Sequence, residues 1–346
     1  MKIILRAVCF LLPVLGLAGA SQPGDMIVNV ERSRLVVIHL DGSSELISDK
    51  PGQATFSPDR RFIAFTRDQQ LLVLNLATHA TDEIVQLPEG ARFAQVEWAP
   101  NGKAIAYEVI ARGKSDDLFI APLASQRGQP RNLGHWYQGF SFSPDGSRIV
   151  HAINLPFALE TVDTTSGVRT ILHKAGNVVW TAQFSPDGKY IAYTQTVTPP
   201  GDPSQSADDD EDCANPPNEL HLLSLVDGSD TTVKMHDPQA PSGVYHFAWS
   251  PDSRRIALEL GTPDCGYPTG DAAVFVTSVD QKDQLKISNE SASYEPVFSP
   301  DGSGVVFMDA SHDPVGLWRY DLAGKSLKPF TVNGIGLTYE ELLQWK

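Results

Sequence analysis

Apolar residues in this chain arrive in short bursts separated by polar turns. Phe62-Ile63-Ala64-Phe65, Ala104-Ile105-Ala106-Tyr107 and Ile191-Ala192-Tyr193-Thr194 are examples, each rich in β-branched or aromatic residues. Runs of this kind bounded by Pro, Asp and Gly predict β-strands. Each is introduced by nearly the same phrase. Phe56-Ser57-Pro58-Asp59 and Trp98-Ala99-Pro100-Asn101-Gly102 are followed by Phe142-Ser143-Pro144-Asp145-Gly146 and Phe184-Ser185-Pro186-Asp187-Gly188. Trp249-Ser250-Pro251-Asp252-Ser253 and Phe298-Ser299-Pro300-Asp301-Gly302 complete the set, with aromatic-to-aromatic steps of 42, 44, 42, 65 and 49 residues. One strand ends at the aromatic, the chain turns, and a second strand leaves antiparallel to it. Pro presets φ, Asp accepts from backbone amides and Gly takes the positive-φ position. A third strand (Leu71 to Asn75, Leu317 to Asp321) and a fourth (Asp82 to Leu87, Leu327 to Val332) close each unit. A repeat of about 40–45 residues with several short strands is the signature of a β-propeller blade. The repeated aspartates, one per tight turn, read as turn residues and not as a ring of catalytic carboxylates.

The ends of the chain set the blade count. Trp345 lies 47 residues after Phe298, where a seventh aromatic is due. At the other end, Met26 to Glu31, Leu35 to Leu40 and Glu45 to Ser48 read as second, third and fourth strands with no first strand before them. The segment at 339–345 is expected to supply that strand, closing an all-β ring of seven four-stranded antiparallel blades and leaving no open seam.

Residues 1–20 are expected to lie outside the fold. Lys2 and Arg6 precede an apolar stretch from Ala7 to Leu17, and Ala18-Gly19-Ala20 suits a cleavage site. This pattern predicts a secretory signal peptide followed by a propeller over 21–346, exported to the periplasm or outside the cell, with no membrane anchor after cleavage. Removing two basic residues would leave 27 − 2 = 25 against 42 acidic ones, a formal charge of −17. So acidic a surface argues against nucleic acid and anionic lipid as partners.

Cys213 and Cys265 would survive processing. Cys213 lies in an insertion at about 198–218 that accounts for the 65-residue step, and Cys265 lies in the equivalent loop of the next blade. Equivalent loops of neighbouring blades emerge side by side, so in an exported protein these two are expected to form a disulfide. The insertion also carries Asp208-Asp209-Asp210-Glu211-Asp212. Such a run reads chiefly as a solvated acidic loop, with calcium as the alternative.

No nucleophile elbow, phosphate-cradling glycine loop or paired-histidine zinc pattern occurs, so no catalytic residue, metal ligand or cofactor is assigned. Recognition is expected where the inner strands open, on the face opposite the Pro-Asp-Gly turns. Four residues before each repeat aromatic stand Gly52, Ala94, Gln138, Trp180, Tyr245, Tyr294 and Glu341. Three successive blades thus offer Trp180, Tyr245 and Tyr294, with His246 and Glu295 next along the chain. Large aromatics with polar tips beside a His and a Glu suit a recognition surface. Blade-to-blade packing is the other use for such aromatics.

Units reading aromatic-Ser-Pro-Asp-Gly-x-x-Ile-Ala-Tyr resemble the WD40-like propeller repeats of the TolB family, the periplasmic component of the Tol-Pal system. They are also similar to propellers attached to prolyl oligopeptidase-type enzymes. The resemblance covers nearly all of the chain beyond residue 20. It implies a periplasmic protein that binds other envelope proteins through its propeller. The chain is expected to act as a monomer, and no cofactor is assigned. TolB proteins carry an N-terminal α/β domain and six blades, so the resemblance here is to a TolB-like relative lacking that domain. Two other classes remain open: a standalone propeller enzyme, such as a polysaccharide lyase or hydrolase working in its channel, and a small-ligand or metal-binding sensor.

Overall fold

The structure is a computed structural model that describes residues 25–30, 34–39, 43–50, 52–111, 117–123, 128–135, 139–154, 156–196, 219–237, 240, 243–261, 272–288, 293–309, 316–330 and 342–345. Twenty-eight strands form seven four-stranded antiparallel sheets. Blade 1 runs, from the inner strand outward, Leu342–Trp345, Met26–Val30, Arg34–Ile38 and Ser44–Ser48. Blades 2 to 7 occupy 54–86, 91–135, 140–174, 179–233, 243–286 and 293–330 in chain order. The closing strand is the one the sequence predicts: Trp345 pairs with Met26, Gln344 with Ile27 and Leu342 with Val28.

Stacking of blades explains the apolar bursts. A middle strand is covered on both faces, so it reads as a continuous apolar run and not as an alternation. Ile63, Ala64 and Phe65 are all buried, whereas the outer strand Thr81–Gln86 is mostly exposed. The core is therefore divided into seven seams. One apolar cluster joins each pair of neighbouring blades, and the seventh packs Met26, Val28, Val36 and Ile38 of blade 1 against Val306, Met308 and Leu317 of blade 7.

The Pro-Asp-Gly turns have one repeated hydrogen-bond scheme. In blade 2 the Ser57 hydroxyl donates to Asp59 Oδ1 (2.7 Å), as does the Arg61 amide (3.1 Å), while Ser57 Oγ accepts from the Phe62 amide (3.0 Å). Asp145, Asp187, Asp252 and Asp301 repeat it. Hydrogen bonds from Ser143 and Ser147 hold the Asp145 carboxyl down at about 2. Such ionised, satisfied carboxylates are structural. Gly146 (φ 70°) and Gly188 (φ 69°) take the left-handed position, and where glycine is missing Arg60 and Ser253 adopt it instead.

Candidate functional site

The inner strands are irregular where they open. Their pairing with the second strand shifts register between Phe93 and Val96 in blade 3, Val179 and Ala182 in blade 5, Val244 and His246 in blade 6, and Tyr294 and Val297 in blade 7. Bulges re-aim side chains and bend the strand. Trp180, Tyr245 and Glu295 sit within these irregularities, while His246 and Tyr294 flank them. All five are partly exposed. The Trp180 indole donates to Thr196 Oγ1 of its own blade (2.7 Å), which fixes the ring and uses its polar edge. Glu295 has φ 53°, a strained backbone for a side chain of this size that costs about 1–2 kcal/mol. Strain of this kind concentrates at functional sites.

Glu259, on the second strand of blade 6 (Arg255–Gly261), offsets that strain. Its Oε2 accepts from the Glu295 amide across the seam (2.8 Å). His246 is its direct cross-strand partner. Phe247 and Trp249 pack toward blade 5, so His246, of opposite parity on its strand, and Glu259 share the face toward blade 7. Burial pushes the Glu259 carboxyl up to about 7, with the Glu295 amide pulling the other way. It pushes the His246 imidazole down to about 4. His246 is partly exposed as a residue, yet its Nδ1 is sealed from solvent and has no hydrogen-bond partner. His246 is therefore uncharged near neutrality, while Glu259 is divided between its neutral and ionised forms.

Sequence reasoning named His246, Tyr294 and Glu295 but did not name Glu259. Its signal was present. Three residues beyond the partner of each repeat aromatic, blades 1, 2, 3, 5 and 6 carry Asn29, Thr66, Glu108, Thr194 and Glu259, all buried. A polar residue recurring inside an otherwise apolar strand marks a position with a polar job. In blade 1 that job is visible, because Asn29 grips Gly52 of blade 2 by two hydrogen bonds.

Two further polar clusters lie nearer the outside. In the seam between blades 3 and 4, Glu160 Oε2 meets His151 Nε2 (3.0 Å) and accepts from Arg169 Nε (2.7 Å), while Arg169 Nη1 donates to the Leu133 carbonyl (2.7 Å). His151 is buried, and that burial lowers its pKa despite the bond to Glu160. In the next seam the Tyr193 hydroxyl donates to Asp230 Oδ2 (2.7 Å), with His173 and His221 nitrogens each 3.3 Å from the same oxygen. Among the described residues no group of three or more His, Cys, Asp or Glu is arranged to hold a metal ion. A cavity of about 1240 Å³ lies away from the rim, at the outer strands of blades 5 to 7 beside the Asp252–Arg255 turn. Lys282, Lys286, Asp280 and Asp283 line it, a mixed-charge groove in which no set of donors or acceptors converges.

The expected signal peptide at 1–20, Gln138, the insertion at 198–218 with Cys213, Cys265 and Glu341 lie outside the described residues.

No family model matches the chain. A stretch of 159 residues is 24% identical to an uncharacterized peptidase, YuxL, of Bacillus subtilis, covering 44% of this chain and 23% of that protein. The match thus spans less than a quarter of the curated relative. Among solved structures, TolB of Acinetobacter baumannii is 14% identical, with a TM-score of 0.51 over 91% of this chain and 81% of that one. An oligogalacturonate lyase in complex with manganese is 12% identical, with a TM-score of 0.61 over 83% and 82%. The oligogalacturonate lyase of Vibrio parahaemolyticus is 14% identical, with a TM-score of 0.59 over 90% and 86%. At these identities the likeness is one of fold.

Proposed function

We propose that this chain is an exported, TolB-like propeller that binds another protein of the cell envelope or its surroundings through the rim bearing Trp180, Tyr245, His246, Tyr294 and Glu295. One observation carries the reading. Three large aromatics from consecutive blades are partly exposed on the face where the inner strands open, each in or beside a bulge that interrupts regular pairing. The opposite face repeats one turn with one hydrogen-bond scheme, which gives a partner little to distinguish. Aromatic anchors at protein interfaces typically contribute 2 kcal/mol or more, about thirtyfold in affinity. The test compares envelope proteins retained by the wild type and by Tyr245→Ala and Tyr294→Ala. A partner lost with both variants at unchanged thermal stability supports the rim. Variants that unfold early but keep the partner identify these residues as blade packing.

A second reading, a polysaccharide lyase or hydrolase, is favoured by the pairing of His246 with a carboxyl held near 7, since acid–base catalysis needs such values. Release of unsaturated uronide ends from oligogalacturonates, abolished by Glu259→Gln, would establish it.

A further inference from the structure

The seam between blades 6 and 7 holds one sealed acceptor without a partner, His246 Nδ1, beside a carboxyl whose second oxygen no donor reaches among the described residues. The Glu295 amide is the one hydrogen-bond donor that reaches the Glu259 carboxyl among the described residues, and it uses only Oε2. His246 Nδ1 is sealed and unpartnered on the same face of the same blade. Buried polar atoms are nearly always satisfied, so the orphaned His246 Nδ1 beside a half-used carboxyl calls for an explanation. In the neutral imidazole with its proton on Nε2, Nδ1 accepts. The two sites together require a donor-rich ligand, and ammonium and guanidinium groups are donors only.

We propose that this seam receives a cationic nitrogen of the protein partner, a lysine ammonium or an arginine guanidinium, with Glu259 and His246 Nδ1 as its acceptors, beneath the rim that carries Tyr245 and Tyr294. The inference rests on the binding reading above and specifies what that rim recognises. The surroundings agree. The facing groups are His246 on the inner strand of blade 6, Val274 on its third strand, the Glu295 amide and Ser293 on the inner strand of blade 7, and the buried Asp309 that pairs with Ser293; the Ser293 hydroxyl is also sealed and has no hydrogen-bond partner. Arg255, the only cation on any of these strands, lies at the turn end and donates to the Gly302 carbonyl (3.1 Å). The chain as a whole carries a formal charge of −15. A divalent metal fits less well, because no third ligand of the usual kind completes the set among the described residues.

Binding is coupled to a proton. A cation beside Glu259 favours its carboxylate, so the proton on the neutral carboxyl passes to the buffer as the ligand enters. Since burial holds this carboxyl near 7, about half a proton per site is released at neutral pH.

Fluorescent peptides identical but for a central Arg, Lys, Gln or Glu test this with the full chain, by polarisation and by calorimetry in buffers of different ionisation heat. The Arg and Lys peptides are expected to bind at least tenfold more tightly than the others and to release protons. Glu259→Gln should remove both the preference and the proton release, while keeping an acceptor for the Glu295 amide and a melting temperature no lower than that of the wild type. Glu89→Gln, which removes the same charge at an exposed site, should change neither. Preference retained in Glu259→Gln, or equal binding of the Gln peptide, overturns the inference, as does no binding of any peptide up to about 1 mM. If Tyr245→Ala and Tyr294→Ala weaken binding while Glu259→Gln does not, the rim stands and the cation receptor falls. If none of the three matters, both fall.

Discussion

Asn29 and Gly52 are locked together across the seam between blades 1 and 2. The Asn29 amide nitrogen donates to the Gly52 carbonyl (3.2 Å), and its amide oxygen accepts from the Gly52 N–H (3.1 Å). A side chain thereby completes the backbone pairing that the short inner strand Ala54–Phe56 lacks at its mouth. Gly52 is also hemmed in from behind, since a Cβ there would stand 2.3 Å from the Thr66 carbonyl oxygen and 2.7 Å from Thr66 Oγ1. Gly52→Ala is therefore expected to be destabilising by about 2–3 kcal/mol, the range of overpacking. Asn29→Ala should cost about 1–3 kcal/mol by leaving two backbone groups unsatisfied. Denaturant melts of the two variants check this, and equal stability to wild type would refute the clamp.

Removing residues 342–346 deletes the inner strand of blade 1. Met26–Val30 would become an unpaired edge, and the neighbouring inner strands of blades 2 and 7 would lose contacts. The truncated chain is expected to melt at lower temperature, over a broader range, and to aggregate through the bared edge. Light scattering during a thermal ramp measures both.

Arg169→Met should cost about 3 kcal/mol, because it strips the partner from a buried carboxylate and frees the Leu133 carbonyl. The estimate is kept low in its range because the Arg169 side chain is 31% exposed. The triple change His151→Phe, Glu160→Leu, Arg169→Met should cost less than Arg169→Met alone, since no charge is then left buried. Urea unfolding of both proteins decides; a triple variant much weaker than the single would mean the network stabilises beyond its own desolvation.

Glu259 makes stability depend on pH in a predictable direction. Its carboxyl is raised from 4.5 to about 7, so the folded protein binds the proton more tightly than the unfolded chain does. That contribution is fully present below about 4.5 and is lost as pH rises through about 7. The depressed His246 acts oppositely, its share present above 6.5 and lost as pH falls toward about 4. Relative to wild type, Glu259→Gln should therefore gain stability between pH 5 and 8, by up to roughly 3 kcal/mol. A flat difference across that range would show that Glu259 ionises freely in the folded protein.

The fold was readable because each blade repeats one turn. Pro58, Pro144 and Pro186 with their partner Asp residues are local signals, and the lone Trp345 opposite headless Met26 gave the closure. The site was readable only in outline. Tyr245, His246 and Tyr294 could be placed on the rim by counting from the repeat aromatic. Their surroundings could not, because the bulges at Val244/His246 and Tyr294/Val297 depend on how two strands pair and not on either sequence alone. Glu259 escaped because it stands between Leu258 and Leu260 in a run that reads as core. Its role depends on Glu295, 36 residues away, whose amide it holds.

The pairing of Met26 with Trp345 joins positions 319 residues apart in the chain. Every other strand pair joins segments of one blade that follow each other in sequence. Folding thus has two unlike parts. Hairpins within blades are local and quick to form, whereas closure must await an encounter between strands more than 300 residues apart, Met26–Val30 and Leu342–Trp345. Long-range contacts of this kind slow folding far more than they affect final stability. The slow step is consequently the last one, and a stack of six complete blades with Met26–Val30 still unpaired is the intermediate most exposed to proteases and to pairing with another copy.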